Sequence, residues 1–253
     1  MRFNATCVLT AAIVTGGSAD AGIIAQNLPV IPTFDPGTGW NVQDGVFSDA
    51  LQSNGNYFYS QALAQSFRVD AGQVATVSGI RFWGFSEYVG SSTPWLQTSL
   101  SSNVVAIQVA ILRADAGTPV FPVVQSWTLQ IGLVQQTITG NYVPNIFSPV
   151  IQMSAALGGD VSLGSGQYVI SIGGVLNNPN GDAFGWTDGQ ADGSLPSSQA
   201  YATVGDTPGQ WGTWVTVDDG TSGAFELQGQ VIPAPGAAAL LAIAGLARRR
   251  RRG

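Results

Sequence analysis

Any chemistry in this 253-residue chain has to rest on carboxylates. Histidine and lysine are absent and the single cysteine is Cys7, so Ser-His-Asp and Cys-His relays, Schiff-base nucleophiles and the commonest zinc ligands are excluded. There is no Gly-x-Ser-x-Gly elbow and no phosphate loop. A glycoside hydrolase needs only two carboxyl groups, one with its pKa raised by its surroundings. Glu87 and Glu226 are the only glutamates, and Asp182, Asp188, Asp192 and Asp206 stand near aromatic residues. Glu226 falls between Phe225 and Leu227, on what the alternation makes a solvated strand face, and Glu87 falls at a strand end. Both read as surface acids, so the chain reads as a non-enzyme.

Two binding chemistries remain. Residues 181–193, preceded by Asn177-Asn178-Pro179-Asn180, set Asp182, Asp188 and Asp192 on glycine-rich loops. Such oxygens suit calcium, although the spacing is not that of the D-x-D-x-D-G loop, and solvated turn residues are the plainer reading. No other cofactor is expected. Trp186, Tyr201, Trp211 and Trp214 would offer flat apolar faces to sugar rings, or else fill a core.

The elements that must position these groups are strands. Val105, Ile107, Val109 and Ile111 alternate with smaller or polar residues, as do Tyr168, Ile170 and Ile172, and Phe225 and Leu227. Asp70-Ala71-Gly72, Ala114-Asp115-Ala116-Gly117, Thr139-Gly140-Asn141, Gly164-Ser165-Gly166 and Asp218-Asp219-Gly220 read as turns between them. The pattern predicts an all-β fold: an antiparallel β-sandwich, jelly-roll-like, over residues 57–230, after an irregular lead-in over residues 22–56. All seven tryptophans lie in residues 22–232, enough chain and apolar surface for one large core.

The two ends read differently. Residues 1–21 carry Arg2, then a mostly apolar stretch, then Ala19-Asp20-Ala21, the small-x-small pattern of a secretory signal peptide. At the other end, residues 231–253 hold Pro233-Ala234-Pro235-Gly236, an Ala/Leu run, and Arg248, Arg249, Arg250, Arg251 and Arg252. Residues 236–247 number 12, about 18 Å as a helix against a hydrocarbon core of ~30 Å. The arginine block would stay on the cytoplasmic side of a membrane. Without these ends the body keeps three arginines against 14 of the 15 acids. That balance excludes nucleic acid as a partner, because no basic surface is left to release counterions.

A Pro-x-Pro motif, a marginal apolar helix and a terminal arginine cluster, in that order, closely resemble the PEP-CTERM sorting signal, with Ala234 in place of the usual glutamate. The segments Gln65-Ser66-Phe67-Arg68-Val69 and Gly79-Ile80-Arg81-Phe82-Trp83-Gly84 also resemble strands of the uncharacterised β-sandwich bodies that carry this tail. The resemblance implies transient membrane insertion of the tail and processing by an exosortase-type membrane enzyme. It further implies a destination at the cell surface or extracellular matrix of a Gram-negative bacterium, near extracellular polysaccharide. A retained membrane anchor is the alternative reading of the same tail. For the body, the expectation is a non-catalytic surface protein; a carbohydrate-binding module, and behind it a carboxylate-based hydrolase, are the alternatives.

Overall fold

The computed structural model describes residues 22–234 apart from 44, 48, 54–55, 62, 89–90, 116–117, 145, 179–180, 191–198, 203–213 and 218–222. The strands are β1 (Gly22–Asn27), β2 (Thr33–Asp35), β3 (Trp40–Val42), β4 (Gly45–Phe47), β5 (Asp49–Ser53), β6 (Asn56–Gln61), β7 (Ala64–Ser86), β8 (Val104–Asp115), β9 (Thr118–Gln130), β10 (Gln135–Val143), β11 (Ser148–Leu176), β12 (Phe184–Thr187), β13 (Gln199–Ala202), β14 (Trp214–Val217) and β15 (Phe225–Pro233). Among the described residues the only helices are 3-10 turns at Pro94–Leu96 and Ile131–Leu133. The fold is all-β.

Thirteen strands form one mixed sheet whose main path runs β1-β15-β7-β11-β10-β3-β2, and β13 and β14 form a separate hairpin. Its axis is the antiparallel ladder of β7 and β11, from Ile151↔Gly84 at one end to Ser171↔Ala64 at the other. Two expected turns sit inside this ladder. The register shifts between Gly164 and Gly166, opposite residues 70–73 of β7, so Asp70-Ala71-Gly72 and Gly164-Ser165-Gly166 are bulges and do not reverse the chain. Gly72 at φ 75° supplies the left-handed backbone that a bulge needs, and a bulge bends a strand instead of ending it. Bending lets β11 change neighbours: residues 151–154 lie between β10 and β7, and residues 168–171 between β8 and β7.

The sheet departs from the antiparallel expectation in two places, since β3 pairs parallel with β10 and β5 parallel with β11. Both cases involve the stretch read as an irregular lead-in, which instead supplies β1 to β5. These two strands join partners far along the chain, so no tight hairpin to β10 or β11 dictates their direction there.

The main core gathers the inward faces of the central strands. Ile80 and Phe82 of β7, Ile107, Val109 and Ile111 of β8, Ile151, Met153, Tyr168, Ile170 and Ile172 of β11, and Phe225 and Leu227 of β15 are all at most 1% exposed. Full burial of each such side chain is worth roughly 1.5–3 kcal/mol. Opposite faces are covered too, by Ala106, Ala110, Leu112, Val169 and Val175 in one cluster and Trp83, Phe85, Val143 and Val150 in another. The indole of Trp127 donates to the Gly158 carbonyl at 3.0 Å, tying β9 to the second irregularity of β11.

Candidate functional site

Trp186 cannot serve as a sugar platform. It lies on β12, which is held between β4 and β7, and is 1% exposed. Its indole N–H donates to the Ala224 carbonyl at 2.8 Å, and its ring lies where a Cβ on Gly223 would stand. Of its expected companions, Tyr201 is on β13 and Trp214 on β14, paired in register to Val215 and Ala202 respectively. Trp211 lies outside the described residues.

Glu226 is likewise not on a solvated face. β15 runs between β1 and β7, which places Glu226 opposite Arg81 in the ladder. The Arg81 guanidinium donates from Nη1 to Oε2 at 2.6 Å, with the glutamate side chain 9% exposed. The carboxylate is thus occupied by a cross-strand cation, a pairing that local sequence pattern does not reveal.

Of the three expected calcium ligands, Asp182 precedes β12 and Asp188 follows it, with the four-residue strand Phe184–Thr187 between them. The Asp182 carboxylate accepts from the Ser101 hydroxyl, and its backbone carbonyl accepts from Asn103 Nδ2 at 2.9 Å. Asp188 forms a bridge with Gly223. Asp192 and Asp206 lie outside the described residues, among which no group of three or more acidic, histidine or cysteine side chains is poised to hold a metal.

Pro233 ends β15 opposite Gln73, and the Ala234 N–H donates to the Gly72 carbonyl at 2.7 Å. The first two residues of the tail motif are therefore held by the sheet. Pro235, Gly236 and Arg248 to Arg252 lie outside the described residues, among which no helix is long and apolar enough to cross a membrane.

What the structure does assemble is an aromatic shelf that the sequence reading missed. Trp40 stacks on Tyr142 with ring centres 4.7 Å apart, meets Phe147 edge-on at 5.6 Å and lies 5.9 Å from Trp95. Each ring has its own positioning device. Asp35 builds the β2–β3 turn by accepting from the Gly37 N–H at 2.8 Å and the Thr38 hydroxyl at 2.9 Å, which keeps its carboxyl below the usual range. Gly39, at φ 77°, delivers the chain to Trp40, and the parallel pairing of β3 with β10 sets that ring against Tyr142. Pro94 opens the 3-10 turn carrying Trp95, its fixed φ being suited to a first helical position.

The shelf borders a depression of about 400 Å³, where Trp95 and Phe147 are 36% and 37% exposed. Its polar rim is Glu87, Tyr88, Ser91 and Ser92. Tyr88 also lines a second depression of about 700 Å³ with Gln97, Ser99, Ser102, Gln136 and Asp182. The signal available in the sequence was a tryptophan in a polar loop, Ser91-Ser92-Thr93-Pro94-Trp95, where a core has no claim on it.

The Tyr88 hydroxyl donates to the Ser99 carbonyl, and its pKa is raised, first by burial and second by the Asp182 charge. The folded state therefore favours the neutral phenol. Below the unfolded tyrosine value of about 10 this preference contributes fully, and it is lost as pH climbs beyond that value. Tyr88→Phe is expected to flatten the alkaline fall in stability above pH ~10, read from urea midpoints across pH. An unchanged alkaline limb would contradict the assignment.

Comparison with known proteins yields no match to any family model, curated protein or solved structure.

Proposed function

We propose that this chain is an exported, non-catalytic protein of the cell surface or extracellular matrix of a Gram-negative bacterium, carrying a PEP-CTERM-like sorting tail behind a β-sandwich body of jelly-roll type. The observation that carries the reading is the order of the last residues. Pro233 closes β15 and opens the Pro-Ala-Pro-Gly motif, after which 11 further uncharged residues and five arginines follow without a linker. A 12-residue helix is too short to be a comfortable permanent span but long enough to hold the tail in a membrane while an exosortase-type enzyme acts on it. The arginines stop translocation at the inner face.

Burial on both faces of the central ladder supports a layered β body. The non-catalytic reading draws support from the missing histidine and from the engagement of Glu226 by Arg81. Extracellular polysaccharide is the surrounding matrix, not a substrate, in this reading.

Cell fractionation with mass spectrometry of the mature termini is the test. The expected product begins near Gly22, lacks the terminal arginines and is recovered outside the cytoplasm. Recovery of the uncut polypeptide from the cytosol would overturn the proposal.

A further inference from the structure

We propose that the shelf of Trp40, Trp95 and Phe147 is a binding site for a neutral polysaccharide chain, whose sugar rings lie on the exposed aromatic faces and whose hydroxyls bond to the rim of Glu87, Ser91 and Ser92. Among the described residues, Trp186, Phe82, Phe85 and Tyr168 are drawn into the core at 1% exposure or less, while Phe34 on β2 is open at 61%. Trp95 and Phe147 stay 36% and 37% exposed and open onto one depression. Rings already locked in mutual contact lose little freedom on binding, which makes the surface preorganised.

Backbone strain points to the same place. Phe147 has φ 52° and is the one non-glycine residue among those described with positive φ. A bulky residue held there is strained. Such strain persists only where the surroundings impose it, here the edge contact with Trp40 and the buried neighbour Ser148, whose hydroxyl donates to the Ser86 carbonyl. The strained turn keeps an aromatic ring at the surface when relaxation would let it fold away.

The chemistry of the ligand follows from charge and shape. Among the described residues, Glu87 and Asp182 are the charged groups of the two depressions, and no arginine lines either of them. A polymer of uronic acids, a phosphate ester or an anionic bilayer would meet repulsion and no counter-charge. A neutral sugar offers an apolar ring face to the indoles and hydroxyls to a carboxylate and two serines, the pairing of apolar body with a few placed polar groups that ligand sites share. Tyr88 belongs to both depressions, so a chain resting on the shelf would continue over Tyr88 toward Gln97, Ser102 and Gln136. The site fits a polymer better than a single sugar.

The test is affinity gel electrophoresis of the purified full chain in gels containing soluble β-1,4-glucan, β-1,3-glucan, mannan or xylan, with alginate as the anionic comparison. The expected result is retardation by at least one neutral polymer and none by alginate. Trp95→Ala is expected to weaken that binding at least tenfold with an unchanged melting temperature, and Trp95→Phe to retain part of it. Ile232→Ala, at a half-exposed position on β15 that lines neither depression, should leave it unaltered. No retardation by any neutral polymer, equal retardation of the Trp95→Ala chain, or retardation by alginate alone would each overturn the proposal. So would a dimer that Trp95→Ala converts to monomer without any sugar binding, since the shelf would then belong to a second copy. Because the purified chain is used, a failure here leaves the export reading untouched.

Discussion

Trp186→Ala is expected to cost about 4 kcal/mol, the upper part of the range for removing a large buried aromatic side chain. The indole is 1% exposed and its ring abuts Gly223 so closely that nothing larger than hydrogen fits there. The substitution empties that space and also takes one of two donors from the Ala224 carbonyl, which keeps only the longer bond from the Trp83 N–H at 3.4 Å. For a body of this size the melting temperature should fall by roughly 10 °C. The decisive measurement is the urea midpoint with an unchanged slope, compared with Trp95→Ala. A loss under ~1 kcal/mol for Trp186→Ala, or a larger loss for Trp95→Ala, would reverse the assignment of core and surface tryptophans made above.

Gly229→Ala is expected to be of comparable severity, above about 3 kcal/mol, through strain and not through lost contacts. The register between β15 and β7 shifts between Gln228 and Gly229, and this shift presses the glycine against its neighbour. An added Cβ would run into the backbone carbonyl of Thr76 and lie 2.7 Å from Ile24 Cδ1. A backbone atom in a ladder cannot swing aside, so the last part of β15 must lift. Hydrogen exchange at Val231 and at Ala234, whose N–H is held by Gly72, should rise sharply. Gly22→Ala is the matched comparison, because its Cβ would meet only the Gly229 carbonyl at 3.6 Å, an ordinary contact. Its effect should stay within ~0.5 kcal/mol. Equal tolerance of both substitutions would contradict the described packing.

The strands were legible where one face is apolar and the other is not. Ile107, Val109 and Ile111 were read as core-facing and are fully buried. Their partners Ala106 and Ala110 are buried too, because alanine is small enough to admit a covering layer while giving no hydropathy contrast to signal it. The turn residues misled for a related reason. Gly72 and Gly140, at φ 75° and 83°, satisfy the same left-handed backbone whether the chain reverses or merely bulges, and local composition does not distinguish the two. By contrast, Ala114-Asp115-Ala116-Gly117 does lie between paired strands, β8 and β9 being joined there with Asp115 opposite Thr118.

Pairings between distant segments were not legible. Glu226 looks outward by alternation, and only the arrival of Arg81 from β7 gives it a cross-strand partner. Similarly, the shelf unites β3, the turn at Pro94–Leu96, β10 and Phe147, and the contact that orders it is a parallel pairing between strands far apart in sequence. The lead-in looked irregular because Pro, Gly, Asn and Asp dominate it, yet its short strands need only a vacant edge to pair with.

The placement of β1 carries a consequence for how the molecule is made. Among the described residues its ladder partner is β15, with Gly22 opposite Gly229 and Asn27 opposite Phe225. A polypeptide that emerges from its beginning therefore holds its first strand in waiting until nearly the whole chain has followed. During that interval Ile24 and Ala25, which later pack against the core, stand bare to water. Closure of this sheet is a late and slow event, and until it happens a holding chaperone has an obvious place to grip.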